Sequence, residues 1–219
     1  MDDIKGQRGN DQQERIFELF ETHQIDVCQD LHFLTLLALT IEVRTDKWRG
    51  RTFDALQLAL AMNKLANQPI VPRQLVGATL AHDFAMAFLP LNFLEKTNKI
   101  SKKDLKLMRT HISTAADLIH RMAGWEPARD IILAHHEHYD GQGYPNKLND
   151  MEITPGAKLL AIVDTFIARS TNTMQAIMEI NRHSGDQFDP LWVDHFNVAV
   201  KQIYSNEISR PQRHPNATS

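Results

Sequence analysis

The chain has 219 residues, a formal charge of −3, a pI near 6.4 and 42% hydrophobic against 23% charged residues, the balance of an ordinary globular domain with a sizeable core. So small a charge gives no electrostatic reason to expect nucleic acid or an anionic membrane as partner. The single cysteine, Cys28, excludes an internal disulfide and makes the cytoplasm the expected location.

Residues 1–10 are polar and read as disordered, with a modest amphipathic helix over 11–23. Residues 31–44 are apolar on all sides and predict a buried helix. The apolar run is interrupted by His32 and Glu42 and falls well short of the roughly 20 residues that span a bilayer. Phe53, Leu56, Leu60 and Leu65 at helical spacing predict a helix over 52–66, and Pro72 suits the first turn of another over 72–88, closed by Pro90. Ser101 is an N-cap candidate for a helix through His111 to Met122, stopped by Gly124. Pro127 opens a helix that leads through Ile131, Ile132 and Leu133 into His135 and His136. Further helices are expected over 157–170, 174–181 and 190–204. No stretch alternates apolar and polar residues between turn signals, so the predicted class is all-α. The expected organisation is a polar segment with a short helix over 1–30, a helical domain over 31–208 and a flexible tail over 209–219.

The chemistry gathers in His135-His136-Glu137-His138-Tyr139-Asp140-Gly141-Gln142-Gly143-Tyr144-Pro145. Two adjacent imidazoles close a helix there, and an acidic, glycine-rich loop follows. Elsewhere, His82-Asp83 and Asp164 sit in apolar surroundings, where an unpaired carboxylate is costly. Taken singly, His82-Asp83 reads as a structural ion pair and His111 as a hydrogen-bonded core histidine. His120, His138 and His183 read as surface or core histidines.

The pattern HHExxDGxGYP resembles the signature of HD-GYP domains, bacterial metal-dependent phosphodiesterases that hydrolyse cyclic di-GMP, and Gln187-Phe188-Asp189-Pro190 is similar to that family's QFDP segment. The resemblance implies an HD-domain-like helical bundle whose metal ligands are His82, Asp83, His111, His135, His136 and Asp164, with Asp83 as the catalytic residue. It implies a divalent transition metal, iron or manganese, and cyclic di-GMP or a related nucleotide as ligand. It also implies a partner-binding loop at Gly141, Gly143, Tyr144 and Pro145, docking a diguanylate cyclase (GGDEF) domain with Tyr144 as an exposed anchor.

Three positions depart from that family pattern. Arg51 stands where the first histidine ligand is expected, and a guanidinium has no lone pair to offer. Met86 stands in place of a lysine, at a spacing that puts it on the face of Asp83. The arginine-rich substrate segment after Asp164 is missing. These losses predict one metal per chain and a domain of cyclic di-GMP signalling with weak or absent phosphodiesterase activity and a binding or regulatory role. The alternative is an active metal-dependent phosphodiesterase.

Overall fold

The computed structural model describes residues 2–44, 48–94, 101–169 and 172–205. The expected tail from Ser209 and the expected helix end at Ser170 lie outside these residues. The elements are α1 (Asp2–Thr22), α2 (Gln29–Glu42), α3 (Arg51–Leu65), α4 (Pro72–Ala81), α5 (Leu91–Leu94), α6 (Lys102–His120), α7 (Glu126–Ala134), α8 (Pro155–Ala168), α9 (Thr173–Arg182) and α10 (Pro190–Ile203). Short 3-10 helices run over Phe84–Phe88 and Asp150–Glu152. The described residues contain no strand, only an isolated bridge between Ser184 and Phe188, so the class is all-α.

Helix α3 lies at the centre, packed against α4, α8 and α10, while α7 joins α4, α6 and α8 on the other side. Leu56, Leu58 and Met62 of α3 meet Leu75 of α4, Leu159 and Phe166 of α8 and Phe196 of α10 in one core from which water is excluded. Such burial is worth roughly 1.5–3 kcal/mol per large side chain, and it fixes the frame that carries the site. Trp125 is fully buried and lies on Gly77, where an added Cβ would sit 2.1 Å from the ring. The α4–α7 contact therefore requires a residue without a side chain at that point. Trp125 Nε1–H donates to Asp30 at 2.8 Å, tying α2 to the same corner. Gln74 adds a polar clasp, donating to the Gly124 carbonyl at 2.8 Å and accepting the Ala128 amide at 3.1 Å.

Two expectations are corrected. The first helix begins at Asp2 rather than residue 11. Ile16 and Phe20 are fully buried against the core, and once that half is anchored each added residue costs little, because the unfavourable step in helix formation is nucleation. The expected helix over 72–88 ends at Ala81. The Thr79 carbonyl, which in a continued helix would accept the amide of Asp83, lies 2.8 Å from His82 Nδ1 and accepts its proton instead. The chain then tightens into the 3-10 helix Phe84–Phe88. Met86 consequently turns into a satellite apolar cluster with Ile41, Leu89 and Leu94, and it is not among the residues lining the cavity beside Asp83.

Candidate metal centre

Four of the six site residues stand where regular structure gives out. His82 is the C-cap of α4 and Asp83 follows it. His135 is the C-cap of α7 and His136 follows it. His111 and Asp164 project from the interiors of α6 and α8. These elements bring the six residues into two adjacent groups. The nitrogen donors of His111, His135 and His136 lie within 4.8 Å of one another, as do the donors of His82, Asp83 and Asp164. The rings of His82 and His135 link the groups, edge to face at 5.6 Å. His120, His138 and His183 belong to neither group. His120 contacts Arg129, and His183 contacts Asp186 and Glu179.

The local chemistry prepares the donors. His135 Nδ1 lies 2.6 Å from the Ile132 carbonyl. A carbonyl only accepts, so Nδ1 carries the proton and Nε2 keeps its lone pair. That Nε2 is buried without a hydrogen-bond partner. A buried acceptor left without a donor costs about 1–3 kcal/mol unless a ligand meets it. Burial, with the neighbouring His136, pushes the His135 pKa well below its usual value, and burial likewise lowers His136 to about 4. His135 and His136 are therefore neutral at physiological pH, as metal coordination by imidazole requires.

The second group is ionic. His82 Nε2 lies 3.4 Å from Asp83 Oδ2 and 3.8 Å from Asp164 Oδ1. Burial disfavours charge here, but the two carboxylates outweigh it and hold the His82 pKa well above the usual value. Burial opposes ionisation of Asp83 and Asp164 too, and the His82 imidazole overrides it, holding both below the usual carboxylate range. A cavity of about 40 Å³, lined by Glu42, Trp48, Arg51, His82, Asp83 and Asp164 among others, opens beside this group. It is wide enough for a few water-sized groups.

Arg51 is built into that cavity. It is the first residue of α3, its N-cap Gly50 has φ +79°, and its guanidinium stacks on Trp48 at 4.8 Å. The Glu42 carboxylate, at the end of α2, accepts the amides on either side of it, from Gly50 at 2.7 Å and from Thr52 at 2.8 Å. Partial burial lowers the Arg51 pKa, while Asp83, Asp164 and Glu42 work against that shift. The role of Glu42 was missed from the sequence, although one carboxylate inside an apolar run is a signal that donors must be near.

The glycine-rich loop folds back on the histidine pair. Gly143 has no room for a side chain: an added Cβ would sit 2.3 Å from His138 N and 2.5 Å from Glu137 Cα. Tyr144 N–H donates to the His136 carbonyl at 3.1 Å. The buried Glu137 carboxylate accepts the amides of Asn146 at 2.6 Å and Leu148 at 3.1 Å. Gly141 has φ +75°, and the Tyr144–Pro145 peptide is cis. Tyr144 is not the exposed anchor expected from the sequence. Its ring is partly buried, stacked on His136 with centroids 4.9 Å apart, and Arg109 lies over it at 4.4 Å. Gln142, Pro145, Asn146 and Lys147 form the exposed edge instead.

Residues 36–191 match the family model of the HD domain. Similar curated proteins include the 3'3'-cGAMP-specific phosphodiesterase 2 of Vibrio cholerae, 27% identical over 54% of this chain and 24% of the relative. The cyclic di-GMP phosphodiesterase of Thermotoga maritima is 26% identical over 56% of this chain and 36% of the relative. The chain thus spans only about a quarter to a third of the length of these two relatives. Among solved structures, Bd1817, a HDG"Y"P protein from Bdellovibrio bacteriovorus, superposes with a TM-score of 0.64 at 20% identity, covering 88% of this chain and 70% of that one. With its all-α frame, its His82-Asp83 pair and its glycine-tyrosine-proline loop, the chain belongs to the HD domain family, in the HD-GYP group.

Proposed function

We propose that this chain is a metal-binding domain of cyclic di-GMP signalling that takes one divalent ion, has weak or no phosphodiesterase turnover, and acts by binding. The observation that carries the reading is the approach of His111, His135 and His136 to within 4.8 Å beside the Asp83 and Asp164 carboxylates. The donor set fits a divalent transition ion, since neutral imidazoles with a nearby carboxylate suit iron, manganese or zinc. His111, His135 and His136 would hold the ion, and Asp83 would add a carboxylate. When bound, the ion supplies Lewis acidity towards a phosphoryl oxygen.

Arg51 supports the single-ion stoichiometry. A second dication among His82, Asp83 and Asp164 would share the cavity with a guanidinium that stays protonated, and like charges in a partly desolvated site repel strongly. The chain's own residues supply little positive charge for a phosphodiester. Met86 is buried in an apolar cluster, and the cavity beside Asp83 is lined by Arg51 and by His82, whose charge is already matched by Asp83 and Asp164. Losing one well-placed electrostatic donor commonly costs about 100- to 1000-fold in rate. On this reading the loop edge at Gln142 and Pro145, next to Gly141, Gly143 and Tyr144, is the surface offered to a diguanylate cyclase (GGDEF) domain.

The active-enzyme reading draws on the similarity to proteins named cyclic di-GMP and 3'3'-cGAMP phosphodiesterases. One experiment separates the two. Protein loaded with iron or manganese is analysed for metal content and incubated with cyclic di-GMP, with formation of linear dinucleotide followed by chromatography. One equivalent of metal and negligible product are expected, with a second equivalent in Arg51→His. Robust turnover that vanishes in Asp83→Ala would establish the enzyme.

A further inference from the structure

The imidazoles of the site are not all held in the same way. His82 and His135 each donate Nδ1–H to a main-chain carbonyl, at 2.8 Å and 2.6 Å. Such a bond fixes both the tautomer and the plane of a ligating ring. His136 is less buried, and among the described residues neither of its ring nitrogens makes a hydrogen bond. Its ring contacts are with His135, tilted at 4.1 Å, His111, edge-on at 5.3 Å, and Tyr144, which alone lies nearly parallel, at 14° and 4.9 Å.

Tyr144 is in turn fixed from three directions. Its own amide is bonded to the carbonyl of the histidine it covers, at 3.1 Å. Gly143 lies hard against Glu137 and His138, and the Glu137 carboxylate holds the chain just beyond, at Asn146 and Leu148. The Arg109 guanidinium stacks over the phenol ring at 4.4 Å, from the same helix that supplies His111 two residues later. Arg109, Tyr144 and His136 form a stacked series running from the surface of α6 to the histidine triad.

We propose that Tyr144, backed by Arg109, is the positioning residue of His136, replacing with a ring stack the hydrogen bond that orients His82 and His135. The inference rests on the metal-binding reading above. It makes the glycine-rich loop and the histidine triad one unit with respect to the ion. By linkage, whatever grips the loop must alter metal affinity by the factor with which metal alters loop binding.

The test compares Tyr144→Phe, Tyr144→Leu and Arg109→Gln by cobalt(II) titration, using the absorption spectrum of the bound ion to report geometry and thermal unfolding of the metal-free protein to report folding. Tyr144→Phe, which keeps the ring, should bind within about 3-fold of the parent. Loss of a group that orients a ligand typically costs about 10- to 100-fold in affinity, so Tyr144→Leu should fall in that range with an altered spectrum. Arg109→Gln should lie between. In a His136→Ala background, Tyr144→Leu should cost nothing further, because the ring it positions is gone. A folded Tyr144→Leu protein with the affinity and spectrum of Tyr144→Phe overturns the inference, as does an equal loss in the His136→Ala background. Failure of the parent protein to bind any metal overturns the metal-binding reading and this inference together, whereas uptake indifferent to Tyr144 overturns only the latter.

Discussion

Replacing Gly143 with alanine tests the coupling between loop and site through a single methyl group. The added Cβ would lie 2.3 Å from His138 N and 2.5 Å from Glu137 Cα, both main-chain atoms that cannot swing aside. Relieving the closer contact to an ordinary separation of about 3.4 Å requires a shift of about 1 Å. The loop is held by bonds of 3.1 Å from Tyr144, 2.6 Å from Asn146 and 3.1 Å from Leu148. A shift of that size carries the longer ones past hydrogen-bonding range. Each neutral bond is worth about 0.5–1.5 kcal/mol and each bond to a carboxylate about 1.5–3 kcal/mol, but water replaces part of that at an exposed loop. A net loss of about 1–3 kcal/mol follows, or roughly 3–10 °C in Tm for a chain of this length. Metal affinity should fall about 10-fold as His136 loses its stacked partner. Thermal unfolding of the metal-free protein and a cobalt(II) titration measure the two effects, with the exposed neighbour change Gln142→Ala as control. A Gly143→Ala protein matching the parent in both would refute the close approach of the loop and the reasoning built on it.

Two further outcomes follow from the buried charges. Glu42→Ala removes the acceptor of two amides at the start of α3, so the protein should lose about 1–3 kcal/mol in chemical denaturation; because Arg51 lies between those amides, its hold on the cavity should loosen as well, and unchanged stability would show that water substitutes for the carboxylate. The pH dependence follows from two histidines: His136 is lowered to about 4 and His135 well below its usual value, so between about 6.5 and 4 these two bind more protons in the unfolded chain than in the folded one. Stability of the metal-free protein should therefore fall as pH drops through that window. His136→Ala should flatten part of the slope, and an identical profile in that variant would contradict the assignment.

The candidate site residues were legible in the sequence chiefly through the family resemblance, since His82-Asp83 and His111 taken singly read as structural, although part of the signal is local. His135 and His136 end an apolar run, the loop beyond them is spaced by glycines, and Asp83 and Asp164 are carboxylates in apolar surroundings, which demand partners whatever the fold. The helical frame was legible for a related reason, since apolar spacing reports one period over many residues. Contacts between distant segments left no such trace. Nothing near residue 144 announces that Arg109 will lie over its ring, or that the ring will cover His136. Nothing near residue 42 says which two amides will meet its carboxylate. The break after Ala81 turned on one side chain taking the carbonyl that would have continued the helix, and it sent Met86 into an apolar cluster rather than into the cleft. Periodicity is a property of one helix, whereas these outcomes depend on where α2, α3, α6 and α7 stand relative to one another, and only packing around the shared core decides that.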